Sequence, residues 1–312
     1  MSAPADLTEL IDATLGLLTP YTAEAKTALT TAKPLEKILS QCQALVEDLE
    51  GQGSDPLRTI HHFACSGGTL MSRCLAAQPN TVVLSEVDPF STIPTGPTKY
   101  APTDLIMLIR DGSRAASQEI IEDVFLAGLA TLFDHYLNRG QTLILRDHTH
   151  SHFCTKAGIA DRPLIREVLA KRFTLKSVLT VRHPLDSYLS LKKKNWVRFA
   201  PATIEEYARR YTLFLEAYPQ TPVFRYEAFV ANPNAEAKRL TAELALPYVA
   251  NWQDILPAIQ LTGESGRSGN DIAQRPRRDI PDNIANQLKD SLAYQTLCER
   301  LGYNPDMTAP AL

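Results

Sequence analysis

The chain has 312 residues, 44% of them hydrophobic, with 32 Lys and Arg against 35 Asp and Glu for a formal charge of −3. That length can bury a sizeable core, and the balance of charge leaves no overall basic excess for nucleic acid, so any anion binding must be local. No apolar run reaches the roughly 18 residues that would read as a membrane span, and five cysteines without a CxxC pair argue against a disulfide scaffold or a zinc site.

The opening stretch, "MSAPADLTELIDATLGLLTPY", lacks a basic start, and Asp6, Glu9 and Asp12 interrupt its apolar residues, so it reads as an amphipathic helix rather than a signal peptide. A cytoplasmic protein is the expectation. Helices are predicted over about residues 5 to 18 and 34 to 49, and the turn-forming "GQGSDP" closes this helical extension, taken as residues 1 to 56.

From 57 to 312 a single α/β domain is predicted. Strand-like runs at 59 to 65, 81 to 86, 142 to 148, 175 to 183 and 222 to 227 alternate with helical segments to about Leu75, at about 114 to 138 and 161 to 172, and onward to about 217. After Pro233 the pattern is helical to about Leu246, and a last helix is predicted from about Asp282 to Leu301. Alternation of this kind favours a parallel sheet covered by helices on both faces, with ligands bound at the carboxyl ends of its strands. The residues capable of chemistry cluster at those ends: the "CSGG" turn, Arg146 to His148, Arg182 and His183, and Tyr226 with Glu227.

In "HFACSGGTLMSR" a strand enters a Ser-Gly-Gly-Thr turn and leaves as a helix. Gly67 and Gly68 permit close approach of the backbone to an anion, and Ser66 and Thr69 add hydroxyls at a helix N-terminus. A Walker A motif is absent, and a ligand-free strand-to-helix turn is the other reading. In "VRHPLDSYLSLKKKNW" Arg182 ends an apolar strand and Ser190 follows about two helical turns later, so the two can grip one phosphate. The plainer alternative pairs Arg182 with Asp186.

The order "CSGGTL", "RHPLDSYLS", "RYEAFVANPNAEAKRLTAELALPY" and "GESGRSG" resembles the sulfotransferases that use 3′-phosphoadenosine 5′-phosphosulfate (PAPS), over about residues 58 to 280, nearer to the protein-tyrosine and bacterial branches than to the small-molecule cytosolic one. The resemblance implies a P-loop-like fold and transfer of a sulfuryl group to an acceptor hydroxyl or amine, without a required metal. It implies that Ser66, Gly67, Gly68 and Thr69 hold the 5′-phosphosulfate and that Arg182 and Ser190 hold the 3′-phosphate. Tyr226 would lie near the adenine, and Arg267, Ser268 and Gly269 would close over the 3′-phosphate.

This chain departs from the family at Cys65, where a Lys or Arg normally stands. Arg146, at the ligand edge of the sheet, is the expected substitute, ahead of Arg73 inside a helix. Two residues qualify as the base that takes the acceptor's proton: Glu86, which resembles the glutamate of the protein-tyrosine branch, and His148, which sits where the small-molecule branch has histidine. Glu86 is preferred.

His148, His150 and His152 alternate, so an extended segment would place three imidazoles on one face, as a metal site or as solvated loop residues. "LKKKNW" and "QRPRRD" read as solvated faces or as guides for an anionic ligand. An ATP- or GTP-dependent kinase and a non-catalytic nucleotide binder are the competing functions. The acceptor, whether small molecule, carbohydrate or peptide, would meet the N-terminal helices and the loops at 88 to 104 and 149 to 160. No residue pattern names it, and none reports the oligomeric state.

Overall fold

A computed structural model describes residues 55–91, 93, 104–110, 112–114, 116–156, 158–261, 272–273 and 276–309. The chain divides into two units, Met1–Asp55 and Pro56–Leu312, and the sheet and its helices belong to the second. The two predicted N-terminal helices and the loop residues Arg267, Ser268 and Gly269 lie outside the described residues.

Five parallel strands form the sheet: β1 (Leu57–His62), β2 (Thr81–Val87), β3 (Thr142–Asp147), β4 (Leu175–Val181) and β5 (Val223–Arg225), in the order β2-β3-β1-β4-β5. β1 is central and buried along its whole length, paired Ile60 to Arg146 of β3 and His62 to Thr180 of β4. The connection leaving β1 runs toward the β2 edge, and that leaving β4 runs toward the β5 edge. The two diverge between adjacent strands, which opens a crevice at the carboxyl ends of β1 and β4.

Helices cover the sheet, chiefly α1 (Gly68–Ala76), α2 (Gln118–Leu137), α3 (Pro184–Lys193), α4 (Ile204–Ala217), α5 (Pro233–Glu243) and α6 (Leu292–Leu301). Phe63, Tyr207, Tyr211, Phe214 and Leu297 pack in one core, and Ile60, Leu70, Leu75, Val178, Phe224 and Trp252 in a second. Leu126, Leu129 and Phe133 of α2 form a third with Leu143, Leu145 and Val168. Each of the larger buried apolar side chains is worth about 1.5–3 kcal/mol against exposure, so the sheet edge that carries the polar residues rests on a rigid base.

The alternating pattern read from the sequence matches these elements within a few residues, with two informative differences. The last helix is two, because Ser291 breaks it: its hydroxyl donates to Glu205 Oε2 at 2.6 Å and accepts from the Tyr294 amide, capping α6. Tyr226 does not end β5 but begins the short helix Tyr226–Ala231.

Candidate functional site

The turn after β1 is braced on every side. Cys65 and Gly67 take positive φ (61° and 94°), and Tyr207 donates its hydroxyl to the Ala64 carbonyl at 2.9 Å. The Ser66 hydroxyl is fully buried and donates to the Phe63 and Thr180 carbonyls at 2.8 and 3.0 Å. Ser66 therefore ties the turn to β4 rather than presenting its side chain to a ligand. The first turn of any helix leaves its amides without intrahelical acceptors, so the backbone around Gly67, Gly68 and Thr69 presents N–H groups at the start of α1.

Both glycines are required by contact. A Cβ on Gly67 would lie 2.6 Å from Tyr226 Cδ2, and one on Gly68 would lie 2.3 Å from the His62 ring. Gly68→Ala is expected to displace His62 and the turn together, lowering the melting temperature, which a melting scan checks.

Tyr226 links this turn to the next strand end. The Arg182 guanidinium lies over its ring, 4.7 Å from the centroid, and Arg182 Nη1 donates to Ser190 Oγ at 3.2 Å. The plainer pairing of Arg182 with Asp186 does not occur: the Asp186 carboxylate accepts from Arg277 Nε at 3.2 Å, and Arg182 makes no ion pair among the described residues. Glu227, beside Tyr226, accepts from the His183 amide at 3.0 Å and the Tyr303 hydroxyl at 2.7 Å, so it anchors the C-terminal segment. Burial pushes its carboxyl above the ordinary range.

A second group stands on the other side of β1. Arg146, 3% exposed, donates through Nε to His62 Nε2 at 2.9 Å, through Nη1 to Ser85 Oγ at 2.9 Å and through Nη2 to Thr69 Oγ1 at 3.0 Å. The same Nη2 lies 2.8 Å from Glu86 Oε1. Arg73 is elsewhere, with Nη2 donating to the Leu256 carbonyl. Of the two arginines expected near the turn, Arg146 is the one that reaches it.

Glu86 reaches this group because β2 is irregular. Its register with β3 shifts between Leu84 and Val87, and Glu86 takes φ 59°, a left-handed conformation that costs a non-glycine residue about 1–2 kcal/mol. Its Oε2 lies 3.5 Å from His148 Nε2, and His148 Nδ1 lies 3.4 Å from Ser91 Oγ.

The histidine segment is not extended. His150–Phe153 is a helical turn, so His152 lies tilted against Phe153 with ring centroids 4.6 Å apart while His150 turns edge-on to both His148 and His62, at 5.5 and 5.9 Å. The face of three imidazoles that an extended segment would have made therefore does not form. Burial, reinforced by His148 and Arg146, draws the His150 imidazole down to about 3, and burial likewise holds His62 well below its ordinary value. Both rings are neutral at physiological pH.

Sequence reasoning missed His62 as a member of the site. The available signal was the histidine pair ending β1, immediately before the glycine turn.

Cations line the crevice although the chain is acidic overall. Burial pushes the Cys65 thiol up to about 11, against the opposing pull of Arg182, Lys194 and Arg278. Cys65 is thus a neutral thiol, unsuited to act as a nucleophile. In the "LKKKNW" run Lys192 and Lys193 are exposed, whereas Lys194 lies over the Trp196 ring at 4.6 Å. The run is part solvated face and part crevice rim. Arg277 of "QRPRRD" is committed to Asp186 and to the carbonyls of Met307 and Ala309.

Among solved structures, this chain is similar to sulfotransferases. It aligns with a sulfotransferase domain from the curacin biosynthetic pathway at 17% identity and TM-score 0.48, covering 80% of this chain and 98% of that one. A sulfotransferase domain from the olefin synthase of Synechococcus PCC 7002 aligns at 16% and 0.44, covering 80% and 95%. A sulfotransferase from Alicyclobacillus acidocaldarius aligns at 15% and 0.43, covering 79% and 95%. No protein-family model matches the chain, and no curated protein matches it. No helix among the described residues is long and apolar enough to cross a membrane.

Proposed function

We propose that the protein is a PAPS-dependent sulfotransferase. The observation that carries this reading is the junction of two half-sites across β1 and β4. Gly67 lies against Tyr226, Tyr226 against Arg182, and Arg182 against Ser190, while Thr69 of the same turn accepts from Arg146. The turn amides suit one phosphate and the Arg182–Ser190 pair a second, as a nucleotide with 5′- and 3′-phosphates requires.

The donor supplies an activated sulfuryl group. This chain's residues would do the rest: the turn amides and Arg146 meet the charge that grows on the phosphate oxygen as its bond to sulfur breaks, and Glu86 takes the acceptor's proton as the new oxygen–sulfur bond forms. His148, at 3.5 Å from Glu86, is the alternative base. Arg146 supplies the cation that the family resemblance would place at Cys65, and its bond to Glu86 keeps the carboxylate turned toward the turn. Tyr226 would offer its ring edge to the adenine.

Titration of the full chain with adenosine 3′,5′-bisphosphate, compared with ATP plus Mg²⁺, tests the reading. Preference for the bisphosphate is expected, and preference for ATP with Mg²⁺ would favour a kinase instead. Arg182→Ala is expected to weaken the bisphosphate by about 10- to 150-fold, the worth of about 1.5–3 kcal/mol for hydrogen bonds to a charged group. Unchanged affinity would remove Arg182 and Ser190 from the 3′-phosphate site.

A further inference from the structure

We propose that Glu86, His148 and His150 form a site for an exchangeable divalent transition-metal ion, with Zn²⁺ as its natural probe. One ligand atom from each of the three lies within 4.8 Å of the other two. Glu86 Oε2 and His148 Nε2 are 3.5 Å apart, longer than a good hydrogen bond. Two ligands held at about 2.0–2.1 Å on a tetrahedral Zn²⁺ stand about 3.4 Å apart, so this gap fits an ion between them.

His150 provides the independent observation. Its Nε2 is buried and has no hydrogen-bond partner among the described residues. A buried polar atom left unsatisfied is costly, and here it belongs to a ring packed edge-on to His148. One nitrogen of the same ring lies within 4.8 Å of the ligand atoms of Glu86 and His148, so an ion there would draw a ring with an unsatisfied nitrogen into coordination. The outer contacts of a metal site are present as well: Arg146 holds Glu86 Oε1 at 2.8 Å, and Ser91 Oγ lies 3.4 Å from His148 Nδ1.

Two imidazoles and one carboxylate suit Zn²⁺ or Co²⁺ better than Mg²⁺ or Ca²⁺, and three protein ligands leave a position open. The Arg146 guanidinium on the same carboxylate opposes a second cation, so the ion exchanges instead of being permanently bound. His152 takes no part, because the helical turn carries it onto Phe153.

Occupation would consume the lone pairs of both candidate bases. Zn²⁺ therefore inhibits turnover and a chelator restores it. That consequence rests on the sulfotransferase reading, whereas binding itself does not.

Titration of the metal-free full chain with ZnCl₂, and with CoCl₂ followed by visible absorption, tests the site. One saturable equivalent is expected, with a cobalt spectrum free of thiolate charge-transfer bands. His150→Ala and His148→Ala should each weaken Zn²⁺ by at least about 10- to 100-fold, with circular dichroism confirming the fold. His150→Asn serves in place of the alanine variant if that one unfolds.

Absence of saturable binding, a thiolate band, or wild-type affinity in folded His150 variants overturns the proposal. Bisphosphate titration is a separate measurement, so failure of the metal site and failure of the sulfotransferase reading are distinguishable.

Discussion

Glu86→Gln is expected to lower kcat by about 10²- to 10⁴-fold, the range contributed by a positioned general base, while leaving adenosine bisphosphate affinity close to wild type. Glutamine keeps an oxygen that can accept from Arg146 Nη2, so the 2.8 Å contact and the bulged strand end survive while the basic carboxylate is lost. His148→Ala is the matched comparison, because His148 Nε2 lies 3.5 Å from the same carboxylate. A large fall in His148→Ala with little change in Glu86→Gln would transfer the base role to His148. Activity unaffected by either change would refute the mechanism. Single-turnover measurement with labelled donor separates the chemical step from product release in both variants.

Arg146→Ala is expected to lower turnover by about 10²- to 10³-fold, the loss typical of one preorganised donor to developing negative charge, with a much smaller loss of bisphosphate binding. The distinction follows from placement. In the proposed reading Arg182 and Ser190, which are hydrogen-bonded to each other, would carry the second phosphate, whereas Arg146 meets the turn at Thr69, where charge would grow only as the sulfuryl group leaves. The alanine variant also strands Glu86 in a largely buried setting, which costs about 3–5 kcal/mol of stability. Melting temperature must therefore be measured beside kcat, and Arg146→Lys, which retains the charge but not the three-way fork to His62, Ser85 and Thr69, should recover stability more fully than turnover. Equal losses in turnover and in bisphosphate affinity would leave Cys65 without a substitute cation and would count against the proposed role.

The alternation of strands and helices was legible in the sequence because each apolar run ends at a turn or a charged residue, and the period of the pattern changes at that point. Legibility extended to the strand ends: in a parallel sheet the carboxyl edges share one side, so Arg146, Arg182 and the glycine turn had to face a common crevice. The glycines at 67 and 68 were legible as a turn open to an anion, but the rings of Tyr226 and His62 that exclude a Cβ there come from elsewhere in the sheet and were not.

Other features depend on distances between segments remote in the chain. The Ser66 hydroxyl looked like a ligand donor, yet the Thr180 carbonyl, 114 residues away, takes it. His62 and Arg146 become partners only because β1 and β3 are neighbours in the sheet, an order that local patterning does not encode. Glu86 lies inside β2, and the register shift with β3 between Leu84 and Val87, together with its left-handed φ, is what aims its carboxylate at Arg146 and His148.

Most elements, and the arginines and turn at the carboxyl edge of the sheet, were readable from residue order alone, because periodicity and turn residues are local properties. Packing settled that Arg146 rather than Arg73 meets the glycine turn, and that His150 rather than His152 lies with Glu86 and His148. The reason is physical: strand order, a bulge and one helical turn set those side chains within hydrogen-bonding or ligating distance, and none of the three is specified by the residues on either side of it.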